Sequence, residues 1–289
     1  MIDLLNIPNS WQDVQIFNAN GSAWQTWQKP RKCNYVWIMC IGGAGGGGGG
    51  STYTFDTAGG VGGGSGAVTR ALYNAQILPD RLYVQVGLGG AGGAGATVGN
   101  SNGSTGSAGT RSWVGLQPVI VAQNMVMGSG TTPAAGGIST NVGASAAGET
   151  VITPTTATFL TLSVFSSTAG QASPNISLVS DVTPLTSQIT SAGAPFGAGV
   201  AATSISPEIK SGFNGITAGP GGDGITSWKP FYSLGGAGGG ALSGSSGGKG
   251  GDGGIGSGGG GGGSATITTS QVGGTGGKGG NGLVIIISF

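Results

Sequence analysis

Apolar residues in this chain gather into short blocks, with glycine filling much of the space between them. YVWIMCI, residues 35 to 41, is a continuous apolar block of strand length, as expected for a strand buried on both faces. LVIIISF, 283 to 289, reads the same way and is rich in β-branched residues, which favour pleated strands. AVTRALY (67–73) and RLYVQVGL (81–88) form a second pair, joined by a turn at LPDR. Near the start, VQIF alternates, and SAWQTWQKP ends in a proline that breaks a strand. No stretch repeats with an amphipathic helical period, although SWQDV suffices for one turn. The pattern predicts an all-β fold.

The strand candidates at 35–41 and 82–88 run out into glycine, whereas those at 67–73 and 283–289 run in from it. In an antiparallel sheet, the ends of one set lie beside the beginnings of the other. If the two sets alternate, one β core carries its glycine runs on a single pole. Residues 110–212 differ in being rich in Ser, Thr and Ala, with Pro118, Pro133, Pro154, Pro174, Pro184, Pro195 and Pro207 as punctuation. Short blocks there, QPVIVAQNMVM, ATFLTLSVF and NISLVSDV, predict a β-rich insertion or a second small β domain.

Two glycine stretches keep strict triplet register. GGKGGDGGIG (247–256) places Lys249, Asp252 and Ile255 third, and GGTGGKGGNG (273–282) does so with Thr275, Lys278 and Asn281. Three residues per turn is the period of a polyproline-II type helix, which has no internal hydrogen bonds. With two glycines in three, two of its faces lack side chains, so such helices can lie together and bond N–H to C=O. The prediction is a polyglycine-II helix bundle whose third face carries a ridge of Lys249, Asp252, Ile255, Thr275, Lys278 and Asn281. Similar spacing occurs in GGAGGGGGG (42–50), GGVGGG (59–64), GGAGGAG (89–95) and GGAGGG (235–240). A flexible linker would tolerate Ser, Thr or Asn anywhere, which the register argues against. Ordering glycine is costly, so the bundle needs the β core as anchor.

Other readings of these tracts fare worse. Collagen would place proline in the triplets. A phosphate loop needs G-K-[ST], yet Lys249 and Lys278 are each followed by glycine. A calcium-binding nonapeptide aligns once through Asp252, but its apolar position falls on Gly254, and a calcium roll needs tandem copies.

Composition narrows the chemistry. Glycine makes up 68 of 289 residues, and charged residues are 7%, with a net charge of +1. That leaves no basic field for nucleic acid. There is no histidine, so a Ser–His–Asp triad is impossible, and no His/Cys cluster exists for zinc. The nine acidic residues are scattered. Neither an enzyme nor a cofactor or metal site is expected. Cys33 and Cys40 sit on opposite faces of one strand, about 20 Å apart, beyond the reach of a disulfide. No apolar run is long enough to span a membrane, and the opening MIDLLNIPNSWQDVQ does not read as a secretory leader. KPRK, 29 to 32, is the basic cluster of the chain and reads first as a solvated strand entrance, with contact to phosphate or acidic glycan as the alternative. Tyr53 and Phe55 lie in a glycine-rich loop and Trp113 borders one, which makes them candidate receptor contacts.

The run WQKPRKCNYVWIMCIGGAGGGGGG … GGGSGAVTRALYNAQILPDRLYVQVGLGGAGG resembles the glycine-rich domain of the anaplastic lymphoma kinase and leukocyte tyrosine kinase receptors. That family inserts polyglycine-II helices into a tumour-necrosis-factor-like β sandwich. The receptors' many cysteines are missing here. Residues 228–289, WKPFYSLGGAGGG … GGKGGDGGIGSGGGGGG … GGTGGKGGNGLVIIISF, with the opening TWQKP … IGGAGGGGGG, are similar to glycine-rich virion proteins of bacteriophages. The resemblances imply a jelly-roll or TNF-like sandwich with an inserted polyglycine-II bundle. They also imply a homotrimer on the virion surface, a fibre, spike or adhesin that works with other virion proteins and contacts a host glycan or protein. The alternative is capsid decoration or a connector. The expected division is 1–109, N-terminal strands and first glycine helices; 110–212, the β insertion; and 213–289, C-terminal glycine helices and final core strand.

Overall fold

A computed structural model describes residues 12–53, 59–97, 99, 101–120, 125–128, 161–168, 213–214, 217–228, 231–240, 245–266 and 271–289. The strands are β1 (Asp13–Asn18), β2 (Gln25–Gln28), β3 (Tyr35–Ile41), β4 (Thr52–Tyr53), β5 (Val68–Asn74), β6 (Arg81–Gln85), β7 (Trp113–Gly115), β8 (Met125–Gly128), β9 (Thr161–Thr168), β10 (Phe213–Asn214), β11 (Thr217–Ala218), β12 (Thr226–Trp228), β13 (Phe231–Ser233), β14 (Ala265–Thr266) and β15 (Leu283–Ser288). Among the described residues there is no helix, and the fold is all-β.

Two antiparallel sheets form the core. One has the order β1-β15-β3-β5-β9 and the other β2-β6-β7-β8. They face each other across a shared cluster that includes Val36, Ile38, Val284 and Ile286 from the first sheet with Trp27, Leu82, Val84, Val114 and Met127 from the second. The hydroxyl of Tyr73 donates to the Val126 carbonyl at 3.2 Å, tying the sheets across this core. The continuous apolar blocks have a direct cause. β15 is buried at every position. Its Val284 and Ile286 enter the core between the sheets, while Leu283, Ile285 and Ile287 join Met39, Ile41 and Val68 on the opposite face. Phe231 and Ile255 pack on that second face.

β3 is antiparallel to both β15 and β5, and β6 is antiparallel to β7. The end of β3 therefore lies beside the beginnings of β5 and β15. The glycine runs that leave β3 and enter β5 and β15 emerge from one pole, as the chain order led us to expect.

Within 110–212 the described pieces serve both sheets. β7 and β8 extend the smaller one, and β9 lies on the edge of the larger, beside β5. Part of QPVIVAQNMVM forms β8, but residues 116–119 bend and 117–120 form no strand. Pro118 offers no N–H for a ladder. Val119 N–H bonds to the Gln117 carbonyl at 2.8 Å, closing a tight local turn. Val119 and Ile120 are 49% and 55% exposed. Most of the remainder of 110–212, NISLVSDV included, lies outside the described residues.

Candidate functional site

The glycine runs build a three-dimensional lattice of backbone hydrogen bonds on the shared pole. At its centre is 42–50, which continues directly from β3. Gly42, Gly45 and Gly48 donate to the carbonyls of Ala67, Gly64 and Val61. Gly43, Gly46 and Gly49 donate to Thr110, Ser107 and Ser104. Ala44, Gly47 and Gly50 donate to Gly280, Gly277 and Gly274, and all nine bonds measure 2.8–3.0 Å. The donor direction thus turns to a new neighbour at every residue and returns after three.

The carbonyls of 42–50 serve two further runs. Gly90, Gly93 and Ala96 donate to Ala44, Gly47 and Gly50, and Gly259 and Gly262 donate to Gly45 and Gly48. Five runs therefore surround this one, two of them parallel to it and three antiparallel. They also bond to one another, as in Ser107 to Ala91, Gly276 to Gly93, Gly277 to Gly260 and Gly63 to Gly259. The lattice continues outward from 257–264 through 235–240, 247–256 and 219–225, for example Gly239 to Gly261, Gly260 to Gly251 and Ala237 to Gly222. Gly256, at φ +64°, reverses the chain between 247–256 and 257–264.

Such close approach explains the composition. A Cβ on Gly47 would meet the Gly260 carbonyl, and on Gly276 that of Gly47, each closer than 3.0 Å. The same holds for Gly63 against Gly45 and Gly106 against Gly46. The obstacle in each case is backbone, which cannot swing aside as a side chain can. Methyl groups are admitted at Ala44 and Ala237, both fully buried.

At the lattice edge, polar side chains finish what neighbouring backbones cannot. Ser104 Oγ accepts from Ala94 N–H at 2.8 Å, and Thr110 Oγ1 from Leu88 N–H at 2.7 Å. Asn281 Oδ1 accepts from Gly89 N–H at 3.0 Å. Asp252 Oδ1 accepts from Lys278 N–H at 2.8 Å and pairs with Lys249 Nζ at 3.1 Å. Asp223 Oδ1 accepts from Asp252 N–H at 2.8 Å, and Thr226 Oγ1 from Ile255 N–H at 2.9 Å. Each oxygen satisfies an N–H that would otherwise face water or nothing, so these side chains act as lateral caps.

The family model described as Glycine-rich domain matches residues 18–288. The chain belongs to that family. No curated protein matches it.

In this glycine-rich domain the six ridge residues do not share one role. Thr275, Lys278 and Lys249 are exposed along their runs. Asp252 and Asn281 are half-buried and act as caps, and Ile255 turns onto the apolar face beneath β3 and β15. Of the aromatic candidates, Trp113 starts β7 and is half-buried; the Arg111 guanidinium lies 5.7 Å from its ring centre. Gly128 lies against its ring so closely that a Cβ there would collide with it. Tyr53 has its backbone in β4, and Phe55 lies outside the described residues. Sequence reasoning did not single out three members of the lattice, 101–110, 219–225 and 257–264, although the last two fall within the 213–289 expected to hold glycine helices. The signal in NGSTGSAGT was glycine at every third place only, Gly103, Gly106 and Gly109, and these face 42–50.

Chemically reactive groups are sparse here. Among the described residues no three His, Cys, Asp or Glu gather as a metal site, and no helix is long and apolar enough to cross a membrane. Cys33 and Cys40 are free thiols; contrary to the expectation of opposite faces of one strand, Cys33 precedes β3 and packs on the same core cluster as Cys40. Burial pushes the Cys40 thiol far above its ordinary range, and Cys33 is raised by burial too, though Lys29 pulls it back.

Proposed function

We propose that the glycine runs are polyglycine-II helices, that the two sheets are a sandwich of jelly-roll type anchoring them, and that the whole is a non-catalytic structural element. The supporting observation is the three-residue rotation of donors along 42–50. A left-handed extended helix with three residues per turn presents its N–H groups at about 120° intervals, which suits bonding to several neighbours at once. The consequence is a rigid shape with few charged or flexible side chains for proteases to grip.

On this reading the protein sits on the surface of a bacteriophage particle as a fibre, spike or adhesin used in host attachment, as a homotrimer among other virion proteins. The similarity of residues 228–289 and of TWQKP … IGGAGGGGGG to phage virion proteins supports that placement. Two measurements test it. Hydrogen exchange on the purified protein should protect the amides of 42–50 as strongly as those of β3; fast exchange there sinks the helical lattice. Gold-labelled antibody on intact particles should mark a fibre, spike or tail tip, and the purified protein should bind host cells. Label on the capsid shell without cell binding replaces attachment by a decorating role.

A further inference from the structure

We propose that the pole opposite the lattice carries a binding site for an acidic saccharide, a sugar bearing a carboxylate or phosphate. A cavity of about 360 Å³ opens there, lined by Gln28, Lys29, Arg31, Lys32, Gln76 and Asp80 among others. Its size falls within the range of roughly 300–1,000 Å³ that holds small ligands and exceeds the needs of a bare ion. The inference goes beyond the proposed particle role, because it rests on this cavity alone.

Three observations converge on the site. The first is charge. The chain has ten Lys and Arg in all, of which Lys29, Arg31, Lys32 and Arg81 lie at this pole. Asp80 is the one acid among the residues lining the cavity. In a chain with 7% charged residues, such concentration is the exception.

The second is construction. Lys29 Nζ pairs with Asp80 at 3.0 Å and donates to the Ala75 and Leu78 carbonyls at 3.2 and 2.8 Å. It thereby fastens the β5–β6 connection to the β2–β3 connection and fixes the two walls. Lys29 is a structural strut whose charge offsets that of the exposed Asp80, and Arg31 and Lys32 leave the lining with a net positive charge. That leaves Arg31, whose side chain is exposed and bonds nothing among the described residues, and the exposed amides of Gln28 and Gln76. An arginine fork suits a carboxylate or phosphate, and the amides supply both donors and acceptors for sugar hydroxyls.

The third is backbone strain. Lys32 sits at φ +69°, the sole non-glycine residue in the left-handed region among those described. Such a conformation persists only where its surroundings hold it, and it gathers at ligand sites. Glycine would occupy this turn without strain; Lys32 does so at some conformational cost.

The test is titration of the ¹⁵N-labelled full chain, separately, with glucuronate, glucose 6-phosphate, neutral glucose and inorganic phosphate. The expected result is shifts confined to residues 28–33 and 75–80 with one or both acidic sugars, none with glucose, and weaker binding by inorganic phosphate. The two sugar arms tell carboxylate from phosphate recognition. Arg31→Gln, on an exposed side chain, should weaken binding roughly tenfold. Lys32→Gly relaxes the backbone while removing the charge and should weaken it as well. Silence with both acidic sugars overturns the proposal, as do an equal response to glucose, equal affinity for inorganic phosphate, or unchanged binding by both variants. None of these outcomes depends on where the protein sits in a particle.

Discussion

The sandwich and the glycine lattice meet at one pole and are held together by opposite means. Between the sheets, side chains such as Trp27, Ile38 and Ile286 fill the space, and each apolar side chain removed from water contributes about 1.5–3 kcal/mol. The lattice has almost no side chains to bury. What it removes from water is peptide groups, and each bond between them is worth only about 1 kcal/mol net. Glycine also loses more freedom on ordering than any other residue. The lattice can afford this because its runs are continuous with strands: 42–50 leaves β3, and 272–282 enters β15. The sandwich should therefore fail when atoms are taken away, and the lattice when atoms are added.

The sharpest way to break that contrast is a pair of opposite substitutions. Trp27→Ala, at a fully buried site, should cost about 3–5 kcal/mol in chemical unfolding. Gly47→Ala adds one methyl against the Gly260 carbonyl and should cost about 1–3 kcal/mol, or more if neither backbone yields. A neutral Gly47→Ala would mean that the lattice is soft. At its edge, Asn281→Ala removes the acceptor for Gly89 N–H and should cost about 1 kcal/mol, with faster amide exchange at Gly89.

Alkaline titration isolates the sandwich. Burial raises the Cys40 thiol and the Tyr73 phenol, with the Cys40 charge adding to the latter. Both folded values lie above the unfolded ones, so the unfolded chain releases protons first. Their contribution to stability is full well below pH 9.0, the ordinary thiol value, and falls as pH rises through it. Cys40→Ala with Tyr73→Phe should flatten that slope in urea melts at high pH. The smallest effect is expected at exposed Lys278, where truncation to Ala keeps the backbone bond to Asp252 and should change stability by no more than about 0.5 kcal/mol.

The two regions also differed in how far their sequences could be read. β3 spans 35–41, the block YVWIMCI itself, and β15 differs from its block by one residue. An apolar strand buried on both faces announces itself because each residue needs a partner. Sheet membership did not announce itself. That β8 and β9 complete two different sheets depends on pairings across long stretches of chain, which local pattern does not encode. In the glycine runs, triplet register was plain where two places in three are glycine and hidden at 101–110, where only the inward place must be. The caps were hidden for a related reason. Asp252 and Asn281 read as displayed side chains because their partners, Lys278 N–H and Gly89 N–H, come from other runs. Trp113, bordering a glycine run, reads either as a contact or as packing on the core, and it lies half-buried with Arg111 and Gly128 against its ring.

The rotation of donors along 42–50 sets a reading frame on the chain. Deleting one residue from that run would swing every later amide a third of a turn, aiming it at the wrong neighbour while the strands at either end stay fixed. Deleting three would shorten the run and leave every remaining amide on course. Length changes within these runs should therefore be tolerated only in whole triplets, as though the lattice kept its own codon.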